Sequence, residues 1–257
     1  MMELTDMKDE VITTSEISPY YLVKCLFAGC SGVGKSSIVH LINNDTQDLT
    51  SEPTIGINFA STKIELKEYP VSDTPDYYKE IKCEMLDANM EKDFQLVKAH
   101  MWDAAGSANF RSVIVSSYIR DIDIAFLVFD LTNRQSLEAL KKWKTDIDNA
   151  SKYPHALTYV LVANKCDLYN YEVRVEEVEE LAKKWKCRSF IMSSRRDNAS
   201  HWVRKMVYHS IKLYHEKLIT LESENKEIPD HVKKSHYEVS PVIELDVSKK
   251  QSYCCFQ

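Results

Sequence analysis

Gly29-Cys30-Ser31-Gly32-Val33-Gly34-Lys35-Ser36 is the stretch that decides the fold of this chain. It matches the pattern G-x-x-x-x-G-K-[ST], in which backbone N–H groups surround the phosphates of a nucleotide. The mostly apolar run Tyr20–Ala28 before it predicts a buried strand, and Ser37–Ile42 after it predicts an amphipathic helix. The positive N-terminal end of that helix would face the anion. A glycine-rich turn that binds nothing is the alternative, and the flanking strand and helix disfavour it.

The residue types in this loop suit a phosphate and its metal ion. Glycine lets the backbone wrap closely around an anion. Lys35 would place its charge on the β- and γ-phosphates, and the Ser36 hydroxyl would be a ligand for Mg²⁺. The predicted nucleotide contacts of this segment are Gly29, Ser31, Gly32, Val33, Gly34, Lys35, Ser36 and Ser37.

Composition excludes several classes of protein. The chain has 257 residues and a formal net charge of −6, which suits one globular domain with extensions and argues against nucleic acid as a partner. No apolar run approaches the roughly 20 residues needed to cross a bilayer. The N-terminus has no secretory pattern and no Gly at position 2 for myristoylation. Seven scattered cysteines are typical of reduced thiols in a cytoplasmic protein.

The order of apolar and amphipathic segments predicts the domain organisation. Residues 1–18 are expected to be a mobile extension, 19–221 a single domain, and 222–257 a flexible tail. Within the domain, residues 67–95 exceed what a two-strand hairpin needs. This surplus is interpreted as a surface insertion, with a partner-docking element as the less favoured alternative.

Strands that alternate with helices predict an α/β fold with a six-stranded, mostly parallel sheet and helices on both faces. The predicted strands are 20–28, 54–66, 96–102, 124–130, 158–163 and 189–192. The predicted helices are 37–43, 136–151, 173–185 and 201–221.

Three further motifs follow predicted strands, where open α/β sheets bind ligands. Asp103-Ala104-Ala105-Gly106 resembles D-x-x-G, with the carboxylate directed at Mg²⁺ and the Gly106 N–H at the γ-phosphate. Asn164-Lys165-Cys166-Asp167 resembles N-K-x-D, in which the Asp accepts hydrogen bonds from the N1–H and 2-amino group of guanine. Adenine lacks that pair of donors, so an ATPase or kinase is disfavoured. Ser193-Ser194-Arg195 would contact the guanine oxygen through its backbone.

Four motifs in this order resemble those of the small GTPases of the Ras superfamily, and Rab proteins in particular. The resemblance extends from about Tyr20 to Leu221 apart from the insertion, and includes Ile55-Gly56-Ile57-Asn58-Phe59 and Leu127-Val128-Phe129-Asp130-Leu131-Thr132. It implies binding of GTP and GDP with Mg²⁺ held by Ser36, Thr54 and Asp103. It also implies that Thr54 belongs to switch I and that residues 106–118 form switch II.

The resemblance further implies a role in vesicle trafficking at the cytoplasmic face of intracellular membranes. The ending Cys254-Cys255-Phe256-Gln257 resembles the C-C-x-x sequence on which Rab proteins are geranylgeranylated, with unmodified thiols as the alternative. The partners implied are effectors, an exchange factor, a GTPase-activating protein, a GDP-dissociation inhibitor and the prenylation machinery.

Two positions depart from the family pattern. Ser107 stands where relatives carry the glutamine that orients the attacking water, so hydrolysis is expected to be slow. Gln47 stands where relatives carry an aromatic ring that packs on guanine. The sequence therefore leaves two functions open: a GTP-dependent switch with Lys35, Thr54 and position 107 in the catalytic region, or a Rab-like scaffold that does not cycle.

Overall fold

The computed structural model describes residues 20–42, 54, 56–65, 96–106 and 120–235. The expected N-terminal extension, the insertion at 67–95, Gln47, Ser107 and the cysteine pair at the C-terminus lie outside the described residues. The segments that carry the four sequence motifs are described, with the exception of the part of switch II that follows Gly106.

The described residues form an alternating α/β structure. The strands are β1 (Tyr20–Ala28), β2 (Ile57–Glu65), β3 (Leu96–Ala104), β4 (Ile124–Asp130), β5 (Thr158–Asn164) and β6 (Arg188–Ile191). The helices are α1 (Lys35–Ile42), α2 (Arg134–Ala150), α3 (Val175–Trp185), α4 (Ala199–Ser223) and α5 (Asp230–Ser235).

The six strands form one sheet in the order β2-β3-β1-β4-β5-β6. Only the β2–β3 pair is antiparallel, and β1 pairs in parallel with both β3 and β4. The pairs β4–β5 and β5–β6 are parallel as well. The prediction of a six-stranded, mostly parallel sheet is therefore confirmed.

The two faces of the sheet bury different side chains because successive residues of a strand point to opposite sides. In β4, Phe126 and Val128 pack with side chains of α1, α4 and the segment around α5. The alternate residues Leu127 and Phe129 pack with side chains of α2 and α3. Helices thus cover both faces, which explains why all of β4 is buried and why it is apolar from Ile124 to Phe129.

Several element ends differ from the sequence prediction. Strand β2 begins at Ile57 rather than Thr54, so Thr54 is outside the strand and available to the site. Helix α2 begins two residues earlier than predicted, because the Asn133 side chain caps it by accepting a hydrogen bond from the Ser136 N–H at 3.2 Å.

The predicted start of the tail at residue 222 is wrong for residues 222–235. Helix α4 continues to Ser223, and the chain then turns back into α5. Ile228 and Val232 are buried in the core that also contains Leu218 and Leu221. Sequence periodicity did not reveal this segment because a helix as short as α5 has too few turns to show one.

The parallel strands bring the predicted motifs together. β1, β3, β4 and β5 run in the same direction, so their carboxyl ends meet at one edge of the sheet. β6 runs the same way beside β5, and the ends of β1, β3, β5 and β6 are where the four motifs singled out in the sequence lie. Among the helices that the structure describes, none is long and apolar enough to cross a bilayer.

Candidate nucleotide-binding site

The loop between β1 and α1 requires glycine at its two ends. Gly29 and Gly34 have φ angles of 152° and 98°, in the region that favours glycine. A Cβ on Gly29 would collide with the carbonyl oxygen of Val128, and one on Gly34 would collide with the side-chain amide of Asn164. Both glycines therefore permit close packing of this loop on the ends of β4 and β5.

Lys35 is the buried cation of this loop. Lys35 is only 5% exposed, and its Nζ donates a 2.8 Å hydrogen bond to the carbonyl oxygen of Cys30. Burial lowers the pKa of Lys35, while the nearby Asp103 carboxyl acts in the opposite direction. The Lys35 side chain thus folds back toward the start of its own loop, where the Cys30 carbonyl oxygen holds the ammonium group.

Three side-chain oxygens from separate segments converge beside Lys35. Ser36 Oγ donates to Asp103 Oδ2 at 2.5 Å and lies 2.9 Å from Thr54 Oγ1. Thr54 Oγ1 also donates to Asp103 Oδ2, at 3.3 Å. The predicted metal ligands Ser36, Thr54 and Asp103 are therefore brought together, although they are far apart in the sequence.

One oxygen of this cluster has no hydrogen-bond partner within the part of the chain that the structure describes. Asp103 is 1% exposed, and its Oδ1 has no hydrogen-bond partner among the described residues. Burial raises the pKa of Asp103, and the hydrogen bond from Ser36 and the charge of Lys35 lower it without cancelling that effect. A buried acceptor without a donor is costly.

The donor set suits Mg²⁺. Hard oxygen ligands, with one carboxylate and two hydroxyls, are what this ion prefers, and it keeps its remaining positions for water and phosphate. The unpartnered Asp103 Oδ1 would be satisfied by the ion or by its bound water. The residues present therefore fit the metal that the sequence implies.

Gly106 lies against the phosphate loop. A Cβ at this position would collide with the backbone of Cys30 and Ser31. Only glycine allows the chain after β3 to approach the loop so closely, and the main chain of Gly106 is therefore at the edge of the predicted γ-phosphate position. Ser107, the next residue, lies outside the described residues.

Asn164 joins three parts of the site. It is fully buried, and its Nδ2 donates to the Val33 carbonyl oxygen at 2.8 Å. Its Oδ1 accepts a 3.1 Å hydrogen bond from the backbone N–H of Ser194. The first residue of the Asn164-Lys165-Cys166-Asp167 motif thus holds the phosphate loop and the Ser193–Arg195 loop in fixed positions.

The rest of that motif is supported from two sides. Lys165 has a left-handed φ of 65°, and its Nζ lies 2.6 Å from Oδ2 of Asp130. The carbonyl oxygen of Cys166 accepts hydrogen bonds from the Tyr171 hydroxyl at 2.7 Å and from Arg196 at 3.0 Å. Asp167, the predicted guanine acceptor, is half-buried at the end of this supported turn.

The Ser193–Arg195 loop follows β6. Ser193 and Ser194 are buried and Arg195 is exposed. Ser193 Oγ accepts a 3.0 Å hydrogen bond from the Arg195 N–H, which closes a tight turn. The backbone of this loop is thereby fixed beside Asn164, as backbone recognition of a base requires.

The remaining predicted residues lie on the accessible side of the phosphate loop. Ser31 and Gly32 are exposed, Ser37 is half-buried, and Gly32 has a φ of 76°. The structure thus brings together the segments that contain the predicted site residues it describes, through contacts made by Ser36, Thr54, Asp103, Gly106, Asn164 and Ser194. Ser107, Cys254 and Cys255 are outside the described residues.

Sequence analysis gave no role in the site to two residues that it had quoted as part of the family resemblance. Asp130 was named there and as the end of an apolar strand, and in the structure its carboxylate contacts a motif residue. Phe59 is 52% exposed on β2 and contacts the rings of His100 and Trp102, with centroids 5.0 and 4.9 Å away. Its position in an alternating strand close to Thr54 in the sequence could have indicated a role near the site.

Comparisons with known proteins agree with this geometry. The Ras family model matches residues 72–213, more than half of the chain, while the phosphate loop precedes the matched region. Ras-related protein RABA5b of Arabidopsis thaliana is 32% identical over 63% of this chain and 62% of its own length. GTP-binding protein ypt4 of Schizosaccharomyces pombe is 32% identical over 70% of this chain and 65% of its own length.

A third relative, Ras-related protein Rab-18 of Caenorhabditis briggsae, is 32% identical over 65% of this chain and 69% of its own length. The chain thus spans between about three fifths and two thirds of the length of the curated relatives it matches. The family model, the relatives and the six-stranded sheet all indicate the same class. The chain belongs to the Ras family of small GTPases and is of the Rab type.

Proposed function

We propose that this protein is a Mg²⁺-dependent guanine-nucleotide switch that recruits effectors to intracellular membranes in vesicle trafficking. One observation carries the proposal: the oxygen cluster of Ser36, Thr54 and Asp103 and the guanine motif at Asn164 lie at the same edge of the sheet. A phosphate site and a base site joined through Val33 and Asn164 match a single bound nucleotide.

The residues divide the work of binding. Lys35 supplies positive charge to the phosphates, and backbone N–H groups of the loop from Gly29 to Ser36 surround them. Asp167 accepts from the guanine edge, and the Ser193–Arg195 backbone contacts its oxygen. Mg²⁺ held by Ser36, Thr54 and Asp103 would neutralise charge on the β- and γ-phosphates.

The switch depends on Thr54 and Gly106. Neither residue belongs to a helix or strand, so the presence of the γ-phosphate would hold them in place and its loss would release them. Phe59 lies on β2, five residues after Thr54. Its side chain is exposed, and its ring contacts that of Trp102. We place the effector surface on these aromatic side chains, because an exposed aromatic cluster marks a protein-binding site.

Hydrolysis is expected to be slow because Ser107 is too short to orient the attacking water. Replacing Ser107 with Gln should raise the single-turnover rate of GTP hydrolysis by about tenfold or more. The matched control is Ser107→Ala, which should hydrolyse GTP at the wild-type rate. A wild-type protein as fast as Ser107→Gln would mean that another group positions the water.

A Rab-like scaffold that does not cycle remains the second candidate, and Ser107 and Gln47 are the features that favour it. The nucleotide released when the purified protein is denatured separates the two. GDP supports a cycling switch, and GTP supports a locked state. A protein that contains neither, and that binds neither when Mg²⁺ is added, contradicts the proposed switch.

Membrane attachment is proposed to use the cysteine pair. Cys254 and Cys255 would each carry a geranylgeranyl chain, because one chain gives only marginal binding and Lys249-Lys250 is the only basic pair nearby. The described residues end at Ser235, and a fully extended chain of the length of residues 236–257 would reach about 75 Å.

Cell fractionation tests this anchor. Wild type should be mainly on membranes, Cys254→Ser and Cys255→Ser partly so, and the double variant in the soluble fraction. A double variant that stays on membranes would place the anchor elsewhere in the chain.

A further inference from the structure

Asp130 occupies a position that the four sequence motifs do not include. It is the last residue of β4 and pairs in register with Asn164, the last residue of β5. It is 7% exposed, although it carries a carboxylate. A carboxylate at the carboxyl end of a central parallel strand lies where this fold binds ligands, and so its contacts matter for the site.

The two carboxylate oxygens of Asp130 contact different residues. Oδ1 accepts hydrogen bonds from the backbone N–H of Thr132 at 2.9 Å and from its hydroxyl at 2.8 Å. Oδ2 lies 2.6 Å from Nζ of Lys165. Burial raises the pKa of Asp130, but the hydrogen bonds from Lys165 and Thr132 outweigh it, so the pKa lies below its usual value.

The backbone conformation and the partial burial of Lys165 explain why its side chain needs the Asp130 carboxylate as a partner. Its backbone is in the left-handed region, which turns the chain sharply between Asn164 and Asp167. Its side chain is about one third exposed, so the pair is partly withdrawn from solvent. A lysine side chain loses rotamer entropy when it is fixed, and Asp130 fixes it before any nucleotide arrives.

We propose that Asp130 is a positioning residue of the guanine subsite, which acts through Lys165. Its carboxylate holds the Lys165 ammonium group in one place and keeps it from pairing with the Asp167 carboxylate, which must accept from the guanine edge. This proposal rests on the proposed function, since it assumes that guanine binds at Asp167. It adds a residue from β4 to a site that the sequence motifs place on β1, β3, β5 and the loop after β6.

The experiment measures the release rate of a fluorescent GDP analogue from the full chain with Mg²⁺ at neutral pH. Asp130→Asn keeps an oxygen for Thr132 but presents an amide to Lys165, so release should accelerate by about tenfold, as expected for the loss of one charge-assisted hydrogen bond. Thr132→Val is the matched control, because it removes one hydrogen bond from Asp130 and leaves the Lys165 contact. Its release rate should stay within about twofold of wild type.

A double-mutant cycle separates positioning from a merely structural role. If Asp130 acts through Lys165, then Asp130→Asn in a Lys165→Met background should not accelerate release beyond Lys165→Met alone. A structural role would instead give additive effects and a lower melting temperature in both backgrounds. Equal effects of Asp130→Asn with and without Lys165 would overturn the proposal.

Two further outcomes are distinguishable. A wild-type protein that binds no GDP refutes the proposed function itself, whereas wild-type binding with an unchanged Asp130→Asn variant refutes only the role of Asp130. If Asp130→Asn does not fold, Asp130→Glu takes its place in the same cycle. The longer side chain keeps the charge and moves the carboxylate away from Lys165.

Discussion

Asp103 and Asp123 are each only 1% exposed, but they lie at opposite ends of the sheet. Asp103, at the nucleotide end, has one oxygen without a partner among the described residues. Asp123, at the other end, accepts from the Lys24 N–H at 2.8 Å and from the Tyr214 hydroxyl at 2.5 Å. Its Oδ2 is also 2.8 Å from Nε2 of His231 on α5.

The difference separates a functional carboxylate from a structural one. The oxygens of Asp123 are satisfied by β1, α4 and α5, so this residue ties the C-terminal segment to the base of the sheet. Asp230 strengthens the same contact by accepting from Tyr153 and Lys152, each at 3.0 Å. Among the described residues only Oδ2 of Asp103 has donors, so Oδ1 is an acceptor for a ligand, and leaving it without one costs stability.

The largest expected effect is at the nucleotide end. Lys35→Ala removes the buried ammonium group that would face the phosphates, so the Kd for GDP should rise by at least about 100-fold in calorimetry. Lys152→Ala is the matched control at the opposite end of the sheet, and its Kd should equal that of wild type. Unchanged affinity in Lys35→Ala would show that the phosphate site is misplaced.

Asp123→Asn should affect stability without affecting the nucleotide. An amide group would face donors that need an acceptor, so the free energy of unfolding should fall by about 2–3 kcal/mol in urea titration. Tyr214→Phe, which removes a single donor, should cost about 1 kcal/mol. GDP affinity of the folded variants should match wild type, and a parallel loss of affinity would break the proposed division between the two ends.

The smallest effect is expected at Asp103, and it has the opposite sign. Its pKa is raised above the ordinary 3.8 in the folded protein, so its ionisation at neutral pH opposes folding. Asp103→Asn should therefore stabilise the nucleotide-free protein by about 1 kcal/mol at pH 7, while it weakens Mg²⁺-dependent binding. The gain should shrink as the pH falls toward 4, because protonation relieves the wild-type carboxylate. A variant that is less stable at pH 7 would contradict this account of Asp103.

The sequence was sufficient for much of the fold and for the chemical identity of the site. β4 was assigned to the correct residues, because a strand buried on both faces is a nearly continuous apolar run, here Ile124–Phe129 before Asp130. The phosphate and guanine motifs were recognisable because each needs particular residue types at fixed spacing within a few residues. Local constraints of this kind can be recognised from the amino-acid sequence alone.

Contacts between distant segments were not visible. The pairing of Asp130 with Lys165, and of Asp123 with Tyr214 and His231, depends on which strand ends and helices the topology brings together. Nothing in the local sequence around Asp123 distinguishes it from a surface residue of a turn.

The sequence alone determined the order of the elements, the mostly parallel arrangement of the strands and the types of residue that would bind a nucleotide. Only the tertiary structure decided which buried carboxylate is satisfied and which is left open for a ligand. It also decided that residues up to Ser235 are part of the domain, with Ile228 and Val232 in its core. The physical reason is that satisfaction of a buried group is a property of its neighbours in space, which chain order does not specify.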